Sequence, residues 1–179
     1  MPQNDKCAEG GIKASLVLVG LMGVGKSTIG RRLAARLHLP FVDADDEIER
    51  AAGMTIQEIF DRHGEAAFRD GERRVIARLI DGSPKVIATG GGAFVNEQTR
   101  RLILEKATAI WLDADIEILV GRVSRRDGRP LLKGKDPREV LVRLAAERAP
   151  YYQQAPIRVR STDSPHDATV EAIVEAIRQ

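Results

Sequence analysis

One cysteine in 179 residues, Cys7, excludes an internal disulfide. Three histidines, His38, His63 and His166, are scattered without the spacing of a metal site. No apolar run approaches the roughly 18 residues of a membrane-spanning helix. Residues 1–13 lack the hydrophobic core of a signal peptide. An excess of one charge is missing too: 28 Lys and Arg against 26 Asp and Glu leave a formal +2. That balance gives no bulk reason to expect nucleic acid or an acidic membrane as partner. A chain of this length buries roughly 70% of its unfolded surface on folding, enough for a core without disulfides. With 43% hydrophobic and 30% charged residues, the composition is that of a folded domain rather than a disordered tail. The expectation is a soluble, cytoplasmic, monomeric protein with neither nucleic-acid nor membrane partners.

Short apolar runs alternate with amphipathic stretches, the pattern of βα units and a parallel sheet. The runs are residues 15–20 (SLVLVG), 41–44 (FVDA), 85–89 (KVIAT), 109–112 (AIWL) and 157–160 (IRVR). Between them, Ile29, Leu33 and Leu37 form one helical stripe, and Thr55 with Glu58 has the spacing of a capping box. Asp136-Pro137 with Glu139 predicts another helix start. Asp167 is the expected cap of a last helix carrying Val170, Ile173, Val174 and Ile177. Two stretches break the alternation. Residues 45–80 read as helices and turns, longer than a plain crossover needs; residues 124–135 (SRRDGRPLLKGK) read as a mobile basic loop. A flexible arm over 1–13 and one α/β domain over 14–179 with those two excursions is the expected organisation.

Residues 20–27, G-L-M-G-V-G-K-S, match G-x-x-x-x-G-K-[ST]. A polyphosphate needs backbone N–H groups curled around it, and glycines allow both the curl and the close approach. The helix that follows offers its positive N-terminus, Lys26 can reach the β/γ-phosphates, and Ser27 can ligate Mg²⁺. A small-molecule kinase, a GTPase switch and an ATP-driven binding or motor module all use such a loop. No N-K-x-D base-reading motif occurs, and the later strand ends in Thr89-Gly90-Gly91-Gly92 rather than acidic residues. The kinase reading leads.

For an acceptor, Asp43, Asp45 and Asp46 close the second apolar run, where ligands of open α/β sheets gather. Strand alternation would put Asp43 and Asp45 on one side. One can then hold the Mg²⁺ water shell while the other orients or deprotonates a hydroxyl. Asp46 reads as the cap of the next helix. Gly90, Gly91 and Gly92 after a strand suggest a ligand lying against bare peptide. Arg69, with Glu72 three residues on to orient it, and Arg148, ending the helix begun at Asp136, can grip a carboxylate bidentately. Arg129 can swing over a transferring phosphoryl group, whereas Arg125 and Arg126 read as solvated loop charge.

Together these motifs resemble the shikimate kinases. They are G-L-M-G-V-G-K-S-T (20–28), F-V-D-A-D-D-E-I-E (41–49), G-E-A-A-F-R-D-G-E (64–72), V-I-A-T-G-G-G (86–92), R-P-L-L (129–132) and E-R-A-P-Y-Y (147–152). The resemblance implies ATP-dependent phosphorylation of the shikimate 3-hydroxyl, with Mg²⁺, in the route to chorismate. It also implies a three-layer α/β/α P-loop kinase fold with a five-stranded parallel sheet, a substrate-binding excursion within 45–80 and a lid at 124–135. Under it, Lys26, Asp45 and Arg129 are catalytic. Gly23, Val24, Gly25, Lys26, Ser27, Thr28, Arg122 and Arg129 bind ATP. Asp45, Arg69, Gly90, Gly91, Gly92 and Arg148 bind shikimate. Ser27 holds Mg²⁺ directly and Asp43 through water. The rivals are a gluconate- or nucleoside-monophosphate-type P-loop kinase and a catalytically silent binding protein of the same fold.

Overall fold

The structure, a computed structural model, describes residues 11–125 and 132–179. Chain order is β1 (Leu16–Val19), α1 (Lys26–Leu37), β2 (Phe41–Asp43), α2 (Ala44–Ala52), α3 (Ile56–Leu79) and β3 (Val86–Ala88). A 3₁₀ turn (Ala93–Val95) leads to α4 (Glu97–Lys106), β4 (Thr108–Asp113), α5 (Ile116–Val123), α6 (Pro137–Tyr152), β5 (Ile157–Arg160) and α7 (His166–Ile177). The five strands pair in parallel in the order β2-β3-β1-β4-β5. All four residues of β1 are buried although they alternate between faces, so helices cover the sheet on both sides. This is the expected three-layer α/β/α P-loop kinase architecture. Leu18, Ile87, Ile110 and Leu112 are all fully buried, and each such side chain contributes about 1.5–3 kcal/mol relative to exposure.

Register decides where the site lies. Leu18 is level with Ala88, and Ala88 with Asp43, so three neighbouring strands end on one line. The loops leaving β1, β3 and β2 therefore emerge side by side at the carboxyl edge of the sheet. At the far edge β5 alternates Val159 inward with Arg158 and Arg160 outward. These arginines pair with Asp113, the last residue of β4, and with Asp115 just beyond it. Ile12, inside the stretch expected as an arm, packs against the core.

Several local expectations change. The second strand stops at Asp43, and Asp43 rather than Asp46 caps α2, its carboxylate accepting the Asp45 N–H at 2.9 Å. A β-region residue immediately before the helix can make that bond; Asp46, already helical, cannot. Asp43 and Asp45 are thus not strand neighbours: Asp45 faces the site from the first helical turn. The last helix begins at His166 after Pro165, leaving Asp167 inside its first turn instead of at the cap. Arg148 does not end α6, which continues through Pro150 to Tyr152. Pro150 gives up its own N–H bond to the Ala146 carbonyl, and the helix ends two residues later. The Thr55–Glu58 capping box forms in both directions, at 2.8 and 3.2 Å. Gly64 interrupts α3 with φ 81° and ψ 173°, a conformation open essentially to glycine. The helix bends there before presenting Phe68, Arg69 and Glu72.

Candidate active site

The loop after β1 wraps into α1 through Gly25, which caps the helix at φ 98°, in the left-handed region where a Cβ is strained. Lys26 folds back over the loop, its Nζ donating to the carbonyls of Gly20 at 2.8 Å and Leu21 at 3.0 Å. Ser27 Oγ donates to Asp43 at 2.5 Å, tying the loop to the end of β2. From α5, Arg122 braces the other side, donating to the carbonyls of Gly23 (3.3 Å), Val24 (3.1 Å) and Thr162 (3.2 Å). Val24 itself points into the core.

Across the cavity lies a group of a different kind. Arg69 Nη1 donates to Glu72 Oε1 at 2.7 Å, as the spacing along the helix predicts. The second Glu72 oxygen, Oε2, is buried without a hydrogen-bond partner, and so are Asp45 Oδ1 and Arg148 Nη1. Buried polar atoms usually find a partner in the protein, in ordered water or in a ligand, and these three face one cavity. Burial, first, and then the charges of Asp43 and Glu72 push the Asp45 carboxyl up to about 6, while Lys26 pulls the other way. Glu72 is also raised, by burial against the opposing pull of Arg69 and Arg148.

The three glycines after β3 explain how so many side chains fit. A Cβ on Gly90 would lie 3.1 Å from both Asp45 Oδ1 and Glu72 Oε2, and one on Gly91 would lie 2.9 Å from Arg148 Nη1. A Cβ on Gly92 would overlap the Arg69 guanidinium. None of the three has a positive φ, so close approach, not backbone shape, is what demands glycine here. The bare peptide makes room for the site's own side chains. Tyr152 hydroxyl, at the end of α6, donates to the Gly91 carbonyl and fixes this turn to the helix carrying Arg148.

One cavity of about 950 Å³ joins both ends. It brings together Gly23, Gly25, Lys26, Ser27, Thr28, Asp43, Asp45, Arg69, Gly90, Gly91, Gly92, Arg122 and Arg148. Arg129 lies outside the described residues, as does Arg126. Arg125, read from the sequence as solvated charge, lines the cavity. Sequence reasoning passed over His166, which also lines it. Its Nδ1 is buried without a partner, and its Cε1 lies 3.4 Å from where a Gly25 Cβ would stand. Burial, then the charges of Arg122 and Arg32, lower its pKa. A lone histidine at the start of a helix carries no sequence signal of this placement. Met22 and Phe60 line the cavity as well, and their apolar character marks them only as core.

The chain matches the family model described as shikimate kinase over residues 22–178. It is 62% identical over 164 residues to the shikimate kinase of Bradyrhizobium diazoefficiens, covering 92% of this chain and 79% of that protein. The shikimate kinase of Caulobacter vibrioides is also 62% identical, over 165 residues, with 92% and 82% covered. Among solved structures, the shikimate kinase from Acinetobacter baumannii in complex with shikimate superposes with a TM-score of 0.89 at 34% identity. That match covers 93% of this chain and 94% of the other. With a phosphate-binding loop, an acceptor cluster and relatives of this closeness, the chain belongs to the shikimate kinase family.

Proposed function

We propose that the chain transfers the γ-phosphoryl group of ATP to the 3-hydroxyl of shikimate, releasing ADP and shikimate 3-phosphate. The carrying observation is the set of buried, unpartnered atoms on Asp45, Glu72 and Arg148 beside Arg69, in the same cavity as the phosphate loop. Shikimate is a ring carboxylate with several hydroxyls. Guanidinium groups suit the acid and carboxylates suit the hydroxyls, so the ligand would complete the bonds the protein leaves unmade.

The phosphate loop and the N-terminus of α1 would hold the ATP phosphates, with Thr28 and Arg122 beside them. Lys26, released from its loop carbonyls, would neutralise charge developing on the γ-phosphoryl oxygens. Ser27 Oγ and the Asp43 carboxylate are hard oxygen donors at the loop's mouth. They fit Mg²⁺, which keeps much of its water and takes one or two carboxylates beside substrate phosphates. When bound there the ion would supply charge neutralisation of the β- and γ-phosphates. Asp45, ionised above about pH 6, would orient the 3-hydroxyl and take its proton as the oxygen–phosphorus bond forms. The pull on the substrate carboxylate falls to Arg69 and Arg148. Arg129 keeps the role its motif suggests, a contact to the transferring group. Such transfer depends on positioning and electrostatics more than covalent help.

ADP release from Mg-ATP tests this directly, comparing shikimate, gluconate, AMP and no acceptor. Release that depends on shikimate alone is expected. Equal release in every tube, or none, would leave a phosphate loop without this acceptor site.

A further inference from the structure

A second cavity, of about 530 Å³, lies between α2 and α3 on the substrate excursion. Its walls are Ile48 and Met54 on one side and Ile59, Phe68 and Val75 on the other. The volume is that of a small-molecule site. Three basic side chains, His63, Arg74 and Arg78, also line it, and no carboxylate does. The carboxylates paired with the two arginines are each shared with a second arginine. Asp70 takes both Arg73 and Arg74, and Glu47 takes both Arg50 and Arg78. Four guanidinium groups thus rest on two carboxylates, and the rim keeps a positive excess.

Gly71 supplies a second observation. It lies in the interior of α3 with no positive φ, and a Cβ there would meet nothing within 4 Å. Neither a turn nor close packing calls for glycine, which is a poorer helix residue than alanine. What its missing side chain preserves is the open space of this cavity.

We propose that this cavity binds a small monocarboxylate with an apolar ring, the ring against Phe68 and the acid on Arg74 and Arg78. Phe68 is a wall shared with the active-site cavity, and the Arg69 guanidinium lies over its ring at 5.1 Å. A ring packed behind Phe68 would hold Arg69 in its site-facing position. Occupancy therefore couples to the acceptor end and tightens shikimate binding, a coupling that is reciprocal.

The binding part stands apart from the proposed reaction and is tested first, with 3-phenylpropanoate as the probe. Calorimetry on the full chain, with shikimate and ADP present to fill the active site, should show saturable 1:1 binding. Gly71→Leu, which fills the space, should abolish it. Arg78→Ala, an exposed change that leaves the fold, should weaken it about tenfold, the loss of one guanidinium–carboxylate contact. With the cavity saturated, KM for shikimate should fall about threefold while KM for ATP stays put. Absence of binding, displacement by shikimate, or equal binding of neutral 3-phenylpropanamide would overturn the site. Binding with an unchanged shikimate KM would overturn the coupling. Loss of shikimate-dependent ADP release would instead strike at the proposed reaction and leave calorimetric binding untouched.

Discussion

The two ends of the active-site cavity are built on opposite principles. At the phosphate end the main polar groups are tied within the protein, Lys26 to loop carbonyls, Ser27 to Asp43 and Arg122 to three carbonyls, with His166 Nδ1 the exception. At the acceptor end, Asp45, Glu72 and Arg148 each bury an atom with no partner. Under the proposed function, the phosphate end would exchange its internal bonds for bonds to the nucleotide. The acceptor end, under the same proposal, would take its remaining hydrogen bonds from the substrate. Unpaired buried groups raise the free energy of the empty site, so selectivity is concentrated there: a molecule lacking the right polar groups leaves the deficit standing.

The largest effect should come from removing the phosphate-end charge. Lys26→Ala is expected to lower kcat about a thousandfold, as loss of a central electrostatic contact does, while circular dichroism reports a native fold. Retained turnover would remove Lys26 from the chemistry.

Asp45→Asn sharpens the contrast by separating function from stability. Loss of the proton acceptor should reduce kcat about a hundredfold. In the wild type, shikimate kcat/KM should fall as pH drops through about 6, where Asp45 takes up a proton. The stability sign runs the other way. Burial raises the folded carboxyl above its value of 3.8, so ionising it opposes folding. Asp45's neutral form is accommodated fully below about pH 3.8, and the penalty grows as pH rises through 6. At pH 7.5 the penalty is of order 3 kcal/mol at most. The asparagine variant should therefore melt higher than wild type at pH 7.5 and converge with it near pH 4. A variant that loses activity and stability together would mean Asp45 is a structural group.

Arg69→Lys tests the geometry of the acceptor end. Lysine keeps the charge but loses the fork that meets a carboxylate in two places. KM for shikimate should rise about tenfold with KM for ATP unchanged; an equal rise for both ligands would break the assignment.

How far the sequence could be read follows the same division. The phosphate end was legible because its requirements are local: glycines, a lysine and a hydroxyl within eight residues, between a strand and a helix. The three inner strands β1, β3 and β4 were legible because a strand covered on both faces needs continuous hydrophobics, whereas half-buried β2 and alternating β5 were legible only as shorter, mixed runs. The acceptor end is assembled from β2, α2, α3, β3 and α6, so its residue types suggested it but its geometry did not show. Strand alternation gave the wrong reason for Asp45's direction, because the chain turns helical at Ala44. The glycine triplet was read as a bed for ligand, while its side-chain-free surface admits Arg69, Arg148 and the two carboxylates. His166 arrives from 140 residues away through the packing of α7 on α1, which no local pattern encodes.

Two glycines set the finest test of the contrast between regions. Gly92 abuts Arg69, whereas Gly71, about 20 residues earlier on α3, has open space where a Cβ would stand. Gly92→Ala should push the Arg69 guanidinium aside and raise KM for shikimate severalfold, since a flexible side chain can give way. Gly71→Ala should do the reverse kind of thing. It removes unfolded-state entropy and improves helix propensity by about 0.4–1 kcal/mol. For a chain of this size that is a rise in melting temperature of about 2–4 °C at most. Kinetic constants in the absence of any second ligand should not move, because the new methyl faces the rear cavity. If Gly71→Ala instead lowered the melting temperature, α3 would be more tightly packed there than the open space indicates, and the rear cavity would lose its rationale. If Gly92→Ala left the shikimate KM unchanged, the close fit of backbone to guanidinium would not be what positions Arg69.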